Sequence, residues 1–254
     1  MGVDSGLPDF RGDEGFWRAY PPLRQLGLSF IDMANPAWFE QDPHLAWGFY
    51  GHRQNLYRST QPHEGFDILR DIAPHASRFV FTSNVDGQFQ RAGFDPNQIL
   101  EVHGSIHFLQ SCSSHEEGIW AADSQTVVVD ETSFRAIDPL PVTPDGRLAR
   151  PNILMFGDGM WNPHRTQQQA GRFQKWLADL GNRPVVVLEF GAGTGVPTVR
   201  NLTERMLQRP STTVARINPR EAHAPSGMLR YRGTALEACR VLAEQLRSTG
   251  APPV

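Results

Sequence analysis

"PVVVLEFGAGTGVP", residues 184–197, is the stretch whose reading decides the fold. Val185, Val186, Val187, Leu188 and Phe190 form a short apolar run broken only by Glu189, the character expected of a parallel strand covered on both faces. Small residues follow at once as Gly191-Ala192-Gly193-Thr194-Gly195, and Pro197 suits the first turn of a helix predicted over 197–208. Strand, glycine loop and helix in that order let backbone N–H groups approach a phosphate while the helix aims its positive end at it. The same loop also serves as a close strand-to-helix packing turn, so its meaning depends on the rest of the chain.

Four more apolar runs read as buried strands: 78–83 (RFVFTS), 99–103 (ILEVH), 152–156 (NILMF) and 212–217 (TTVARI). Helical patterns lie at 163–180 and 235–248. This alternation predicts an α/β fold, a Rossmann-like, doubly wound parallel sheet. Two stretches break the rhythm. Residues 13–61 hold a Pro-rich entry and a helical pattern at 43–57, with Leu45, Phe49 and Leu56 close to one face; residues 108–150 read as loop, with a strand at 126–130. The expected organisation is a Rossmann-like domain from 1–12, 62–107 and 152–254, with 13–61 and 108–151 inserted as a smaller module.

In such a sheet, ligands bind beyond the carboxyl ends of the strands. The five runs deliver Asn84 and Asp86, His103, Gly157 and Asp158, the glycine loop, and Asn218 to one edge. Each alone is ordinary turn chemistry. Turn chemistry does not require a histidine and an Asn-x-Asp together.

The bulk composition narrows the partners. With 24 basic and 27 acidic residues the formal net charge is −3, and no like-charged block points to nucleic acid or an anionic membrane. Two cysteines, Cys112 and Cys239, make neither a disulfide framework nor a thiolate zinc site. No apolar run approaches the roughly 20 residues that span a bilayer. With no charged and apolar leader pattern, the expected location is cytoplasmic.

Six motifs, in order and spacing, resemble the Sir2 family, the sirtuins: SGLPDFRG (5–12), TSNVDGQFQRAG (82–93), EVHGS (101–105), FGD (156–158), GAGTGVP (191–197) and IN (217–218). The resemblance implies an NAD-dependent lysine deacylase that transfers an acyl group from protein lysine to ADP-ribose and releases nicotinamide. It implies that Ser5, Gly6, Pro8, Asp9, Phe10 and Arg11 form a mobile loop over the nicotinamide ribose. Asn84 and Asp86 would line the nicotinamide pocket and Ser83 would contact the ribose, with His103 as general base; a near-neutral imidazole suits the activation of a ribose hydroxyl. Gly191, Ala192 and Gly193 would lie under the phosphates, Asn218 would hold the adenine-side ribose, and Gly233 and Thr234 would meet the adenine. Phe156, Gly157 and Asp158 would pair with an extended acyl-lysine peptide. Tyr50 and Arg53, three apart on one helix face, resemble the Tyr-x-x-Arg of sirtuins that remove acidic acyl groups.

Three departures shape the expectations. Between 106 and 151 Cys112 is the single cysteine, so the family's structural zinc is not expected and the small module must be held by packing; His107 has no acidic partner at helical spacing for a metal. Ser83 stands where sirtuins generally carry Gln. The family's first apolar strand, ending in Gly-Ala-Gly, would precede Met1. We therefore expect a start assigned at an internal methionine, and for the 254 residues as they stand a partly open sheet with weak NAD affinity. Two other functions fit the sequence: an NAD glycohydrolase or ADP-ribosyltransferase, and a non-catalytic NAD-binding or interaction module.

Overall fold

The computed structural model describes residues 1–9, 12–73, 75–115, 117–130 and 132–248. A 3-10 turn at Gly2–Ser5 leads to helices α1 (Gly12–Ala19), α2 (Pro21–Gln25), α3 (Phe30–Met33), α4 (Trp38–Gln41), α5 (Pro43–Ser59) and α6 (Glu64–Asp71). Asp42 starts α5. Its carboxylate accepts from the Leu45 N–H at 3.1 Å, and Pro43 sits in the first turn, where its missing N–H has no partner to lose. This helix is buried nearly all round, so its polar side chains reach carbonyls on surrounding segments. Trp47 Nε1 donates to Ala149 O at 2.9 Å, Gln54 to Ile106 O at 2.9 Å and Asn55 to Val127 O at 2.8 Å.

Strand β1 (Val80–Thr82), helix α7 (Gln88–Arg91) and strand β2 (Ile99–Glu101) come next, and β1 pairs with β2 in parallel, Val80 opposite Ile99. Then follow β3 (Gly104–Ser111), β4 (Trp120–Ala121), β5 (Val128–Asp130), β6 (Arg135–Ile137) and β7 (Ala149–Ile153). They form an antiparallel sheet in the order β4-β3-β7 and an antiparallel ribbon β5-β6. The chain closes with α8 (His164–Leu180), β8 (Val185–Phe190), α9 (Thr198–Leu207), β9 (Thr212–Ile217), β10 (Leu229–Tyr231) and α10 (Ala235–Ser248). β10, β9 and β8 make a parallel ladder, Leu188 opposite Ala215.

Parallel pairing among the described residues therefore occurs in two ladders, β1-β2 and β8-β9-β10, that are not hydrogen-bonded to each other. Helices tie them together: α6 packs on α10, and α8, which leads into β8, packs on β2. Phe173 of α8 meets Phe79 and Phe81 with ring centroids 5.1 and 5.7 Å apart. The expected two-sided cover of 184–190 is incomplete, since Val186 is 70% exposed.

The run 152–156, expected as a fourth parallel strand, ends β7 instead, antiparallel to β3. The stretch 108–150, expected as loop around one strand at 126–130, holds that strand as β5 and also the second half of β3, all of β4 and β6 and the start of β7. Both differences have one cause. β3 and β7 bury polar residues, Ser105, Gln110, Ser111, Arg150 and Asn152, that bond to one another or to neighbouring segments, with Arg150 Nε and Asn152 Oδ1 left unpartnered, and so leave no apolar period to read. The larger apolar core joins α1, α2 and α5 to β3 and to Ile153 and Met155, so the two irregular stretches share one interior.

Candidate functional site

His103 stands between β2 and β3. The chain turns at the next residue: Gly104 has φ +77°, and a Cβ there would lie 2.0 Å from Asn152 O, so only glycine lets β3 fold back against β7 so soon after the imidazole. His103 Nε2 is 3.5 Å from Thr198 Oγ1 at the start of α9, which bridges the two ladders. Burial lowers the imidazole pKa below the ordinary histidine value, opposed by a hydrogen bond with the Ser83 backbone.

Asn84 and Asp86 follow β1. Asn84 Nδ2 donates to Asp86 Oδ2 at 3.3 Å, and Asp86 Oδ1 accepts from Gln88 N at 3.0 Å. Asp86 is 8% exposed, and burial raises its pKa above the usual carboxylate value. His107 Nε2 contacts Asp86 O at 3.0 Å, a structural role within the same turn.

At the entry, Ser5 Oγ accepts from His63 N at 3.0 Å, Gly6 at φ +88° ends the 3-10 turn, and Pro8 leads to Asp9, which pairs with Arg220. Phe10 and Arg11 lie outside the described residues.

The glycine loop is braced from below. Gly191 adopts φ +61°, and a Cβ on Gly191 or Gly195 would meet nothing, so open space lies over the loop. Ala192 O accepts from Asn218 Nδ2 at 3.0 Å and from Arg200 Nε at 3.1 Å. Asn218 Oδ1 accepts the N–H groups of Arg220 and Glu221 at 2.9 and 2.8 Å. The expected ribose-holding amide is thus 1% exposed, and both its ends are engaged inside the protein. Gly233 is buried, and Thr234 caps α10 reciprocally with Glu237: Thr234 N donates to Glu237 Oε2 at 2.8 Å and Glu237 N to Thr234 Oγ1 at 3.2 Å.

The substrate-side residues divide. Phe156 is 39% exposed and edge-on to Phe30, and Gly157 is exposed beside it. The Asp158 carboxylate is instead wholly buried against Arg150, with two contacts of 2.8 Å, leaving backbone rather than this side chain to face a peptide. Tyr50 and Arg53 are buried. Arg53 donates to Tyr57 Oη at 3.0 and 2.8 Å and lies 5.1 Å from the centre of the Phe49 ring.

Among the described residues no group of three or more His, Cys, Asp or Glu could hold a metal. Burial pushes the Cys112 thiol up to about 12. Beside it a knot of amides joins β3, β7 and the segment ahead of α8. Gln110 Oε1 accepts from Asn152 Nδ2 at 2.9 Å and Asn162 N at 3.0 Å, while Asn162 Nδ2 donates to Glu117 O at 2.7 Å.

Sequence reasoning missed Thr198, Arg200, Glu221 and the amide knot. Glu221 carried one legible signal: an acid three residues past a strand-end Asn, where an Asx turn folds the chain back.

Fold and strand-end groups together define an α/β protein of the Rossmann-like class with a smaller module beside its parallel ladders. Residues 1–177 match the Sir2 family model, and the chain belongs to that family. It is 30% identical over 166 residues to an NAD-dependent protein deacylase of Aquifex aeolicus, a match covering 63% of this chain and 59% of that one. NAD-dependent protein deacylase 2 of Pyrobaculum aerophilum is 28% identical over 252 residues, 97% of this chain and 88% of that protein. The zebrafish mitochondrial NAD-dependent protein deacylase sirtuin-5 is 28% identical over 176 residues, and the match spans 54% of its length. Among solved structures, an ADP-ribose complex of a mutant Sir2 homologue has a TM-score of 0.70 at 23% identity, covering 99% of this chain and 90% of that one. A Sir2 homologue–NAD complex has 0.69 at 24%, covering 97% and 86%. These two likenesses establish the fold.

The residues present fit a dinucleotide: an open shelf over Gly191 and Gly195, a helix N-terminus behind it, and a half-exposed carboxylate, Glu221, at its rim.

Proposed function

We propose that the chain is a cytoplasmic NAD-dependent lysine deacylase acting on acyl-lysine in proteins or peptides, without a structural zinc. The observation that carries this reading is the half-buried imidazole of His103, its pKa lowered by burial, facing Thr198 on the helix behind the glycine loop. Family membership and the deacylase names of the relatives support it. No described helix is long and apolar enough to cross a membrane, and the near-neutral charge balance offers nothing to nucleic acid.

NAD bound on the shelf would supply the ribose carbon that accepts the acyl oxygen and the nicotinamide that leaves. The protein's own groups do the rest. The start of α9 and the glycine-loop amides other than those of Gly191 and Thr194, which bond Ile217 O and Glu221, hold phosphate. Asn84 and the buried Asp86 offer an amide and a carboxyl to the nicotinamide end, and the turn at Gln88 fixes their orientation. His103, neutral at physiological pH, accepts a proton from a ribose hydroxyl. The Phe156 carbonyl and the exposed Gly157 backbone pair with extended peptide while the Phe156 N–H stays on Ala34 O, and Tyr50 and Arg53 lie on the helix beneath the acyl end.

Nicotinamide release measured with NAD and either acetyl- or succinyl-lysine peptide tests the reading. Release that requires peptide and is lost in His103→Ala supports it. Equal release without peptide would identify an NAD glycohydrolase instead, and no turnover of NAD would leave only a binding module.

A further inference from the structure

The His103 imidazole sits on a bend between two strands, and one helix holds both arms of that bend. Glu101 ends β2, two residues before His103, and Phe108 lies on β3, four residues past the turn at Gly104. Arg165, in the first turn of α8, reaches both. Its Nη2 donates to Glu101 Oε2, and the guanidinium carbon lies 4.0 Å from the centre of the Phe108 ring. The next residues of α8 close on the same glutamate. Thr166 Oγ1 donates to Glu101 O at 3.1 Å; Gln169 Oε1 accepts from Glu101 N at 3.1 Å, and Gln169 Nε2 donates to Glu101 Oε2 at 3.3 Å. Glu101 is 1% exposed. At the histidine itself, Leu154 N donates to His103 O at 2.9 Å, and from Leu154 the chain runs through Phe156 and Gly157 into α8. Residues 154–169 thus fasten the bend before, at and after the imidazole.

We propose that Glu101 and Arg165 are a positioning pair that fixes the His103 imidazole against Thr198. As a statement about catalysis it rests on the deacylase reading above. Stability does not account for the pair. Among the described residues Glu101 Oε1 and Arg165 Nη1 are buried with no hydrogen-bond partner, so each charge keeps a dehydrated end that nothing offsets, and neutral residues of similar volume commonly do as well or better. Satisfying the strand's backbone does not account for it either, because Thr166 and Gln169 already do so. What the charge adds is direction. A guanidinium is flat and offers its donors in a rigid fork, so a carboxylate held by one that also lies on Phe108 is fixed relative to β3 as well as to α8. The angle between the two arms, and with it the reach of the imidazole, is set from α8.

The full chain carrying Glu101→Gln and Arg165→Met together tests this, with melting curves to check folding. Nuclear magnetic resonance reads the geometry without substrate. The wild type should show a nuclear Overhauser contact between the Thr198 methyl and the His103 ring, whose signals are identified by their absence in His103→Ala; the double variant should lose that contact while melting near the wild-type temperature. At saturating NAD, kcat for an acyl-lysine peptide should fall about 10- to 100-fold while its KM moves by less than about 3-fold, the split expected when only the placement of a reacting group is lost. Because the Glu101 charge also raises the Asp86 pKa, the Overhauser contact separates a moved imidazole from a changed carboxyl. Phe108→Leu, which removes only the stack on β3, should weaken the same contact and lower kcat by about 3- to 10-fold, and it carries the test if the double variant does not fold. An intact Overhauser contact or an unchanged kcat in a folded variant would overturn the proposal. A wild type that shows the contact but no peptide-dependent turnover of NAD would overturn the deacylase reading, and the contact in the variants would then decide the positioning of the imidazole by itself.

Discussion

Burial makes His103 a base at a lower pH than a solvated histidine would be. In the proposed role the neutral imidazole is the active form, so turnover should rise with pH through a pKa that burial holds below the ordinary histidine value of 6.5. The acid limb of the pH–rate profile should therefore be centred below 6.5; a limb centred above it would contradict the role assigned to this residue. His103→Ala should lower peptide-dependent turnover by about 10²–10⁴-fold. Asp86 shows the opposite linkage. Its folded pKa is raised by desolvation, so the native state disfavours the charged form, and this cost is absent where the carboxyl is protonated in both states and grows as pH rises above the unfolded value. Asp86→Asn should consequently melt higher than wild type at pH 7, with the gain fading at acid pH, while turnover falls. A variant less stable than wild type at pH 7 would show that the buried carboxylate is net stabilising. Both residues were legible in the sequence, because strand ends in α/β sheets are where chemistry sits. That Asn218 spends its Oδ1 on the turn after β9 was not, since it depends on which lone pairs the turn itself uses.

Among the elements, α5, α8, α9 and α10 were legible nearly to their ends, because a helix with a buried stripe writes its period into the chain. Strands β3 and β7 were not, because residues such as Gln110 and Asn152 are buried by pairing amide to amide rather than by apolarity. That pairing is the staple of the small module. Gln110→Ala would leave Asn152 Nδ2 without one of its acceptors and take the side-chain acceptor from Asn162 N, at about 1–3 kcal/mol, read as a lower denaturation midpoint. A chelator should leave the melting temperature of the wild type unchanged, and a large drop would mean that a metal helps hold the module. Asp42 joins α5 to the β5-β6 ribbon by capping Leu45 N and pairing with Arg135 at 2.6 Å. Asp42→Ala should cost about 0.5–2 kcal/mol for the cap, measurable in the same unfolding curves.

At the scale of the whole molecule, a ligand that rests on one ladder and reaches His103 beside the other holds the two together. NAD at 100 times its dissociation constant should add about 2.7 kcal/mol. For a chain of this size that is a rise in melting temperature of about 5–10 °C. No shift at saturating NAD would mean that the shelf does not hold the dinucleotide. The division into ladders has a further effect on how the protein behaves in solution. Strand β8 pairs with β9 alone among the described strands and carries Val186 at 70% exposure, so it offers unpaired amides and an uncovered valine to any extended chain, including another copy of itself. The apparent mass from light scattering should accordingly rise with protein concentration, and Val186→Lys, a charge on that same template, should suppress the rise without touching the glycine loop a few residues on.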